Sequence, residues 1–240
     1  DFDLVDRAYR VAEEAHRGQV RNSGDPYIVH PLAVACILVE LGMDSECMAA
    51  GLPHDVVEDT AWPLPQISKE FGETVAKLID GVTKLGKIPY SSREEQQAEN
   101  IRKMLISMSE DIRVIIIKLA DRLHNVRTLQ FKPPQKQRDV ALESMEVYAP
   151  IAHRLGIRAV KEEIEDRSIQ YLDPVAYHEI ESALEMQSRD REAFIQQTIE
   201  KIRERLKPMI PNVYLTGRVK SINGIFRKMF LQGKTLEEIY

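Results

Sequence analysis

Apolar side chains recur every three to four residues along most of this chain, and that period limits what it can become: helices packed on helices. Val5, Ala8, Val11, Ala12 and Ala15 share one helical face. Pro31 opens a second segment, with Ala33, Val34, Ile37, Leu38 and Leu41 apolar and Gly42 as its stop. A third runs from an Asp44/Ser45 cap to about Glu58. Helices over Leu64 to Phe71, Glu73 to Val82, Glu99 to Met108, Ile112 to Leu129 and Pro134 to Leu155 complete a predicted bundle. The polar, turn-rich interval Gly86 to Gln97 is expected to be a mobile loop. Beyond Gly156 the character changes. Val160, Ile164, Ile169 and Leu172 lead to a break at Asp173-Pro174. A long charged helix is expected from Tyr177 to about Leu206, with Ile195, Ile199, Ile202 and Leu206 on one stripe. After Pro208 and Pro211, Val213-Tyr214-Leu215-Thr216 reads as a strand, and Gly217 opens a basic segment. The expected fold class is mainly α.

A chain of 240 residues holds one large domain or two modest ones. With 43% hydrophobic and 30% charged residues it is no disordered tail, collagen-like repeat or disulfide-stapled miniprotein. A formal charge of -5 gives no overall pull toward nucleic acid or an anionic membrane. No run approaches the roughly 20 apolar residues that span a bilayer. Cys36 and Cys47 have no partner motif, which fits a reducing cytoplasm better than secretion. The start lacks Met and a basic signal region, and the end falls in mid-pattern at Ile239-Tyr240, so a fragment of a longer protein is expected.

The tract His54-Asp55-Val56-Val57-Glu58-Asp59 carries the chemistry. On one continuous helix these four ionisable residues would fall within an arc of roughly 140°. Carboxylates set so close repel one another unless a cation or a polar substrate lies between them. His30 and Asp121 are the candidates for further ligands. His30 precedes a helix start, where a purely structural role is the alternative. Asp121 follows the apolar run Val114 to Ile117, and pairing with Arg122 or Arg127 is its alternative. Asp121, Asn125 and Thr128 form one polar stripe at i, i+4 and i+7.

His30, His54-Asp55 and Asp121 resemble the H…HD…D signature of the HD-domain phosphohydrolases. Arg21-Asn22-Ser23-Gly24, Tyr27 to Pro31, His54 to Thr60, Lys118 to Asn125, Ala149 to Gly156 and Thr216 to Lys220 resemble the Rel/Spo family. Those are bifunctional synthetase/hydrolases of guanosine tetra- and pentaphosphate. The resemblance implies an HD-type hydrolase domain over 1–155, a helical connector over 156–207, and the start of an α/β synthetase domain over 208–240. It implies one manganese ion held by His30, His54, Asp55 and Asp121, with Glu58 and Asp59 assisting hydrolysis of the 3′-pyrophosphate to give GDP or GTP. A solvated helix end is the alternative for that acidic pair. Arg21 and Ser23 would contact the guanosine end, and Asn125 and Thr128 the phosphate and sugar. Lys118, Lys136 and Arg138 are further possible phosphate partners, or solvated surface. In the basic segment, Arg218, Lys220 and Lys228 match positions that contact ATP, the alternative being a plain basic surface.

Three departures from the family pattern bear on this reading. Asn22 stands where a basic residue is usual, and Asn223-Gly224 where Tyr-Ser is usual. Synthesis by these residues alone is not expected. Pro53 stands where an aliphatic residue is usual, and a proline inside a helix costs about 3 kcal/mol. Pro53 is expected to kink or displace the turn, to disturb the placement of His54 and so to lower metal affinity or turnover. A bare H…HD…D would serve a hydrolase of another nucleotide equally well, and a weakened site would serve a nucleotide-sensing module.

Overall fold

A computed structural model describes residues 1–60, 62–86, 102, 110–186 and 188–239. The chain forms two compact units, Asp1–Ile164 and Glu165–Tyr240. The first is built from α1 (Phe2–Ala15), α2 (Val29–Glu40), α3 (Ser45–Gly51), α4 (Val56–Asp59), α5 (Leu64–Phe71) and α6 (Glu73–Gly86). It continues through α7 (Ile112–Arg127), a 3-10 turn (Leu129–Phe131), α8 (Pro134–Glu143), a π-turn (Ser144–Tyr148) and α9 (Ala149–Arg154). The predicted loop from Gly86 and the predicted helix at Glu99 to Met108 fall almost wholly outside the described residues.

Local chemistry sets the helix ends. Asp1, Asp44 and Asp111 cap α1, α3 and α7, each accepting a backbone N–H of the first turn. Gly42 follows α2 at φ 70°, a conformation that only glycine adopts without strain. The π-turn precedes Pro150, which has no N–H to donate to the turn before it. The core gathers Ile37, Leu38, Leu52, Ile67, Leu78, Ile79, Ile115, Ile117 and Leu119 from four helices and one turn, all fully buried or nearly so. Helix α3 packs on α1, α2 and α6, and α7 on α2 and α6. Two glycines permit that closeness. A Cβ on Gly51 would lie 2.5 Å from Leu38 Cδ1, and one on Gly81 2.8 Å from Val114 Cγ2.

Two sequence expectations change here. The third helix does not run to Glu58: it ends at Gly51, the chain turns through 52–55, and α4 begins at Val56. Pro53 breaks the helix because it cannot supply the next backbone donor. The expected strand at Val213 to Thr216 is absent, and no named strand occurs among the described residues; the one isolated bridge joins Val20 and Pro26. β propensity without a partner strand makes no ladder.

The second unit contains the end of α10 (Arg158–Leu172), then α11 (Pro174–Met186), α12 (Ser188–Leu206), α13 (Ile222–Phe226) and α14 (Leu236–Ile239). The expected single helix from Tyr177 to Leu206 is thus two. Gly217 packs on α12, where a Cβ would meet Ile195 Cγ2 at 2.5 Å. Asp166 accepts the backbone N–H groups of Ile222 and Asn223 at 3.2 and 2.8 Å, and Ser221 caps the same helix. Asn223 is therefore a buried helix-start residue.

Candidate metal centre

Two helices and the Pro53 turn deliver the ionisable residues to one point. His30 comes from the first turn of α2, His54 and Asp55 from the turn 52–55, and Asp121 from the middle of α7. The ligand atoms of His30, His54 and Asp121 all lie within 4.8 Å of one another. His30 Nε2 is 3.3 Å from Asp121 Oδ1 and 3.5 Å from Asp55 Oδ2, and His54 Nε2 is 3.0 Å from Asp55 Oδ1. Asp55 thus adjoins both imidazoles, outside the three ligand atoms that converge most closely. The broken helix still brings His54 to the cluster, so the expected disturbance by Pro53 takes the form of a turn that presents the ring inward.

Each side chain is fixed from behind. His54 Nδ1 donates to the Gly51 carbonyl at 2.7 Å, which leaves its proton on Nδ1. Its buried Nε2 has no hydrogen-bond partner of its own. A bare imidazole nitrogen facing carboxylates suits a cation, and two imidazoles with carboxylates form a donor set suited to a divalent transition metal. His30 Nδ1 lies 2.7 Å from His124 Nδ1. Tyr27 donates its hydroxyl to Asp55 Oδ2 at 2.8 Å and lies 3.1 Å from Asp59 Oδ2. Asp121 is held by Lys118 at 2.8 Å on Oδ2 and by Asn125 at 2.5 Å on Oδ1.

The electrostatics follow from burial and these pairings. Burial alone would lower the His54 pKa, but Asp55 and Asp121 reverse it and raise it to about 9 in the metal-free protein. Burial would raise Asp121, and Lys118, His30 and His54 instead hold its carboxyl well below the usual range. His124 is pushed down to about 4 by burial and by the nearby His30, Arg21 and Arg127. Tyr27 is raised by burial and by the two carboxylates it faces, so its phenol stays protonated.

Beside the cluster lies a polar cleft of about 260 Å³, lined in part by Arg21, Ser23, Tyr27, Asn125, Thr128 and Lys132. All four residues expected to contact the guanosine, sugar and phosphate therefore meet in one place. Arg21 reaches Asn125 Oδ1 at 3.1 Å and its guanidinium sits over the Tyr27 ring at 5.7 Å. Asn22 also lines the cleft, with its residue exposed. Glu58 and Asp59 are exposed on α4, one turn beyond the cluster. Three further expectations are corrected. Lys118 is committed to Asp121 rather than to the cleft; Arg122 pairs with Glu143 at 3.0 Å; and Arg127 grips Glu163 bidentately at 2.8 and 2.6 Å. Lys136 and Arg138 are exposed and do not line the cleft. Sequence reasoning missed Tyr27, His124, Phe131 and Lys132 as site residues; Tyr27 and His124 stood inside motifs already singled out. In the second unit Lys220 lies against Lys228, which with burial and Lys234 lowers its ammonium pKa, and Arg218 is exposed.

A helical bundle that gathers buried histidine and aspartate side chains beside a polar, cationic cleft forms a site that could hold a divalent metal next to an anionic ligand. The chain belongs to the HD-domain family, whose model, described as HD domain, matches residues 8–158. It is 48% identical over 99% of its length to a probable guanosine-3′,5′-bis(diphosphate) 3′-pyrophosphohydrolase of Synechocystis, covering 31% of that protein. It is 44% identical over 97% of its length to the bifunctional (p)ppGpp synthase/hydrolase SpoT of Escherichia coli, covering 33% of it. The chain thus spans about a third of the length of these curated relatives. A solved structure described as a metazoan ortholog of SpoT that hydrolyzes ppGpp matches with a TM-score of 0.54 at 26% identity, over 70% of this chain and 93% of that one.

Proposed function

We propose that the chain is a manganese-dependent hydrolase of guanosine tetra- and pentaphosphate, removing the 3′-pyrophosphate to leave GDP or GTP. The observation that carries this is the buried triad of ligand atoms within 4.8 Å, whose Asp121 is bonded to a residue of the Arg21–Thr128 cleft. The identity to named alarmone hydrolases supports the choice of substrate. His30, His54, Asp55 and Asp121 would hold the ion. Once bound it would acidify a coordinated water and offset phosphate charge.

The chain's own residues do the rest. Arg21 offers a planar fork to an anion or a base, and Ser23, Asn125 and Thr128 offer neutral hydrogen bonds along the same wall. Lys132 adds a half-buried cation that Asn22 does not supply. Asp59, linked through the Tyr27 hydroxyl to Asp55, would take a proton at the cluster's edge, with Glu58 beside it. Asp121 is kept ionised by Lys118, so it offers a full negative charge. Two free cysteines accord with a cytoplasmic setting. Among the described residues no helix is long and apolar enough to cross a membrane. Arg218, Lys220 and Lys228 are proposed as ATP contacts of a synthetase part. The test is to supply guanosine tetraphosphate, guanosine pentaphosphate and a deoxynucleoside triphosphate with manganese and follow pyrophosphate. Release from the first two supports the reading; release from the third alone refutes it.

A further inference from the structure

We infer that His124 is a positioning residue for the metal centre: it accepts a hydrogen bond from the Nδ1–H of His30 and so fixes the His30 tautomer that turns a bare Nε2 toward the cation. This rests on the metal-ligand reading above and adds a residue to it.

The geometry leaves few choices. The two Nδ1 atoms are 2.7 Å apart, a hydrogen-bond distance at which one ring donates and the other accepts. His30 Nε2 faces the carboxylates of Asp121 and Asp55 at 3.3 and 3.5 Å, on the side where the other ligand atoms converge. A ligating Nε2 carries no proton, so the His30 proton sits on Nδ1. His124 Nδ1 is then the acceptor, and the proton of His124 sits on its own Nε2.

Burial makes the arrangement compulsory. His30 is 1% exposed and His124 8%, so solvent does not stand in for a lost partner. A buried N–H left without an acceptor forfeits its hydration with nothing in return. His124 also sits one turn from Asp121 on α7. One rigid helix therefore supplies a carboxylate and sets the ring orientation of an imidazole on α2. The rings lie 4.9 Å apart and tilted by 38°, which suits an edge-to-edge hydrogen bond better than stacking. His54 solves the same problem with a backbone carbonyl, so both imidazoles have their tautomer set from outside the cluster.

The test titrates the whole chain with manganese alone by calorimetry. His124→Leu keeps apolar bulk but no acceptor, and its affinity should fall about 10- to 100-fold, as outer-partner losses do. His124→Asn places an amide oxygen near the Nδ1 position and should recover most of that loss. Affinity unchanged in His124→Leu overturns the positioning role, and so does an equal loss in His124→Leu and His124→Asn. Failure of the wild-type chain to bind manganese overturns instead the metal-ligand reading beneath it. A second measurement needs no variant: nitrogen NMR of the wild-type chain with labelled histidine, loaded with diamagnetic zinc. A protonated Nδ1 on His30 and a bare Nδ1 on His124 are expected; the reverse overturns the proposal.

Discussion

The His54 ring donates a hydrogen bond from Nδ1 to the carbonyl of Gly51, 2.7 Å away. That carbonyl is available because α3 has ended and no backbone N–H of the following turn claims it. Pro53 enforces the ending, and the glycine lets the last turn of α3 press on Leu38. A helix break that looked like damage to the site is thus part of its construction.

Replacing Pro53 with leucine is therefore expected to leave manganese affinity within about threefold of wild type, less than about 1 kcal/mol. Calorimetric titration checks this. A tenfold gain would show that the proline strains His54 instead of presenting it.

Lys118 faces the opposite way. Its ammonium lies 2.8 Å from Asp121 Oδ2, and both side chains are largely buried. Lys118→Met removes the ammonium that pairs with Asp121 Oδ2, leaving only the cluster imidazoles for positive charge, and should destabilise the metal-free chain by about 3–5 kcal/mol. Manganese should narrow that loss by supplying positive charge at the same carboxylate. Urea unfolding with chelator and with manganese reads both values; equal losses in the two would contradict the account.

The packing of α6 on α7 rests on Gly81, where a Cβ would meet Val114 methyl carbons at 2.8 and 3.1 Å. Alanine gains helix propensity of about 1 kcal/mol, but overpacking a stiff, buried valine costs about 1–3 kcal/mol. Gly81→Ala should lower the unfolding midpoint, and adding Val114→Ala should recover part of it. A more stable single variant would show that the two helices have room to part.

The two thiols should differ sharply. Cys47 is buried and its pKa is pushed up to about 12 by burial and by Asp44, whereas Cys36 is exposed. A raised thiol pKa means less thiolate, the species that reacts, at any pH below it. Iodoacetamide at pH 8 should label Cys36 in the folded chain, and Cys47 only after denaturation. Mass spectrometry that finds Cys47 modified first would contradict the placement of α3 in the core.

Much of this was legible in the sequence, for identifiable reasons. His30, His54, Asp55 and Asp121 stand out as an ordered set of ionisable groups among apolar runs, although each alone has a bland use. The helices that carry them follow a clear period. What local pattern did not show is where partners lie far apart in sequence. Tyr27 reaches Asp55 across 28 residues and His30 reaches His124 across 94. Lys132 and Phe131 join the cleft through a short 3-10 turn that periodicity does not reveal. The ion-pair partners of Arg122 and Arg127 depend on tertiary packing. Val213 to Thr216 misled because β-branched residues signal a strand only when another strand is present.

The most direct measurement is the product analysis of guanosine tetraphosphate incubated with the chain and manganese, alongside Asp121→Asn. The account predicts GDP and pyrophosphate in equal amounts from the wild type, none after chelation, and a loss of about 100-fold or more in the variant, the scale of removing a principal electrostatic group. Manganese bound by the wild type with guanosine tetraphosphate left intact would contradict it.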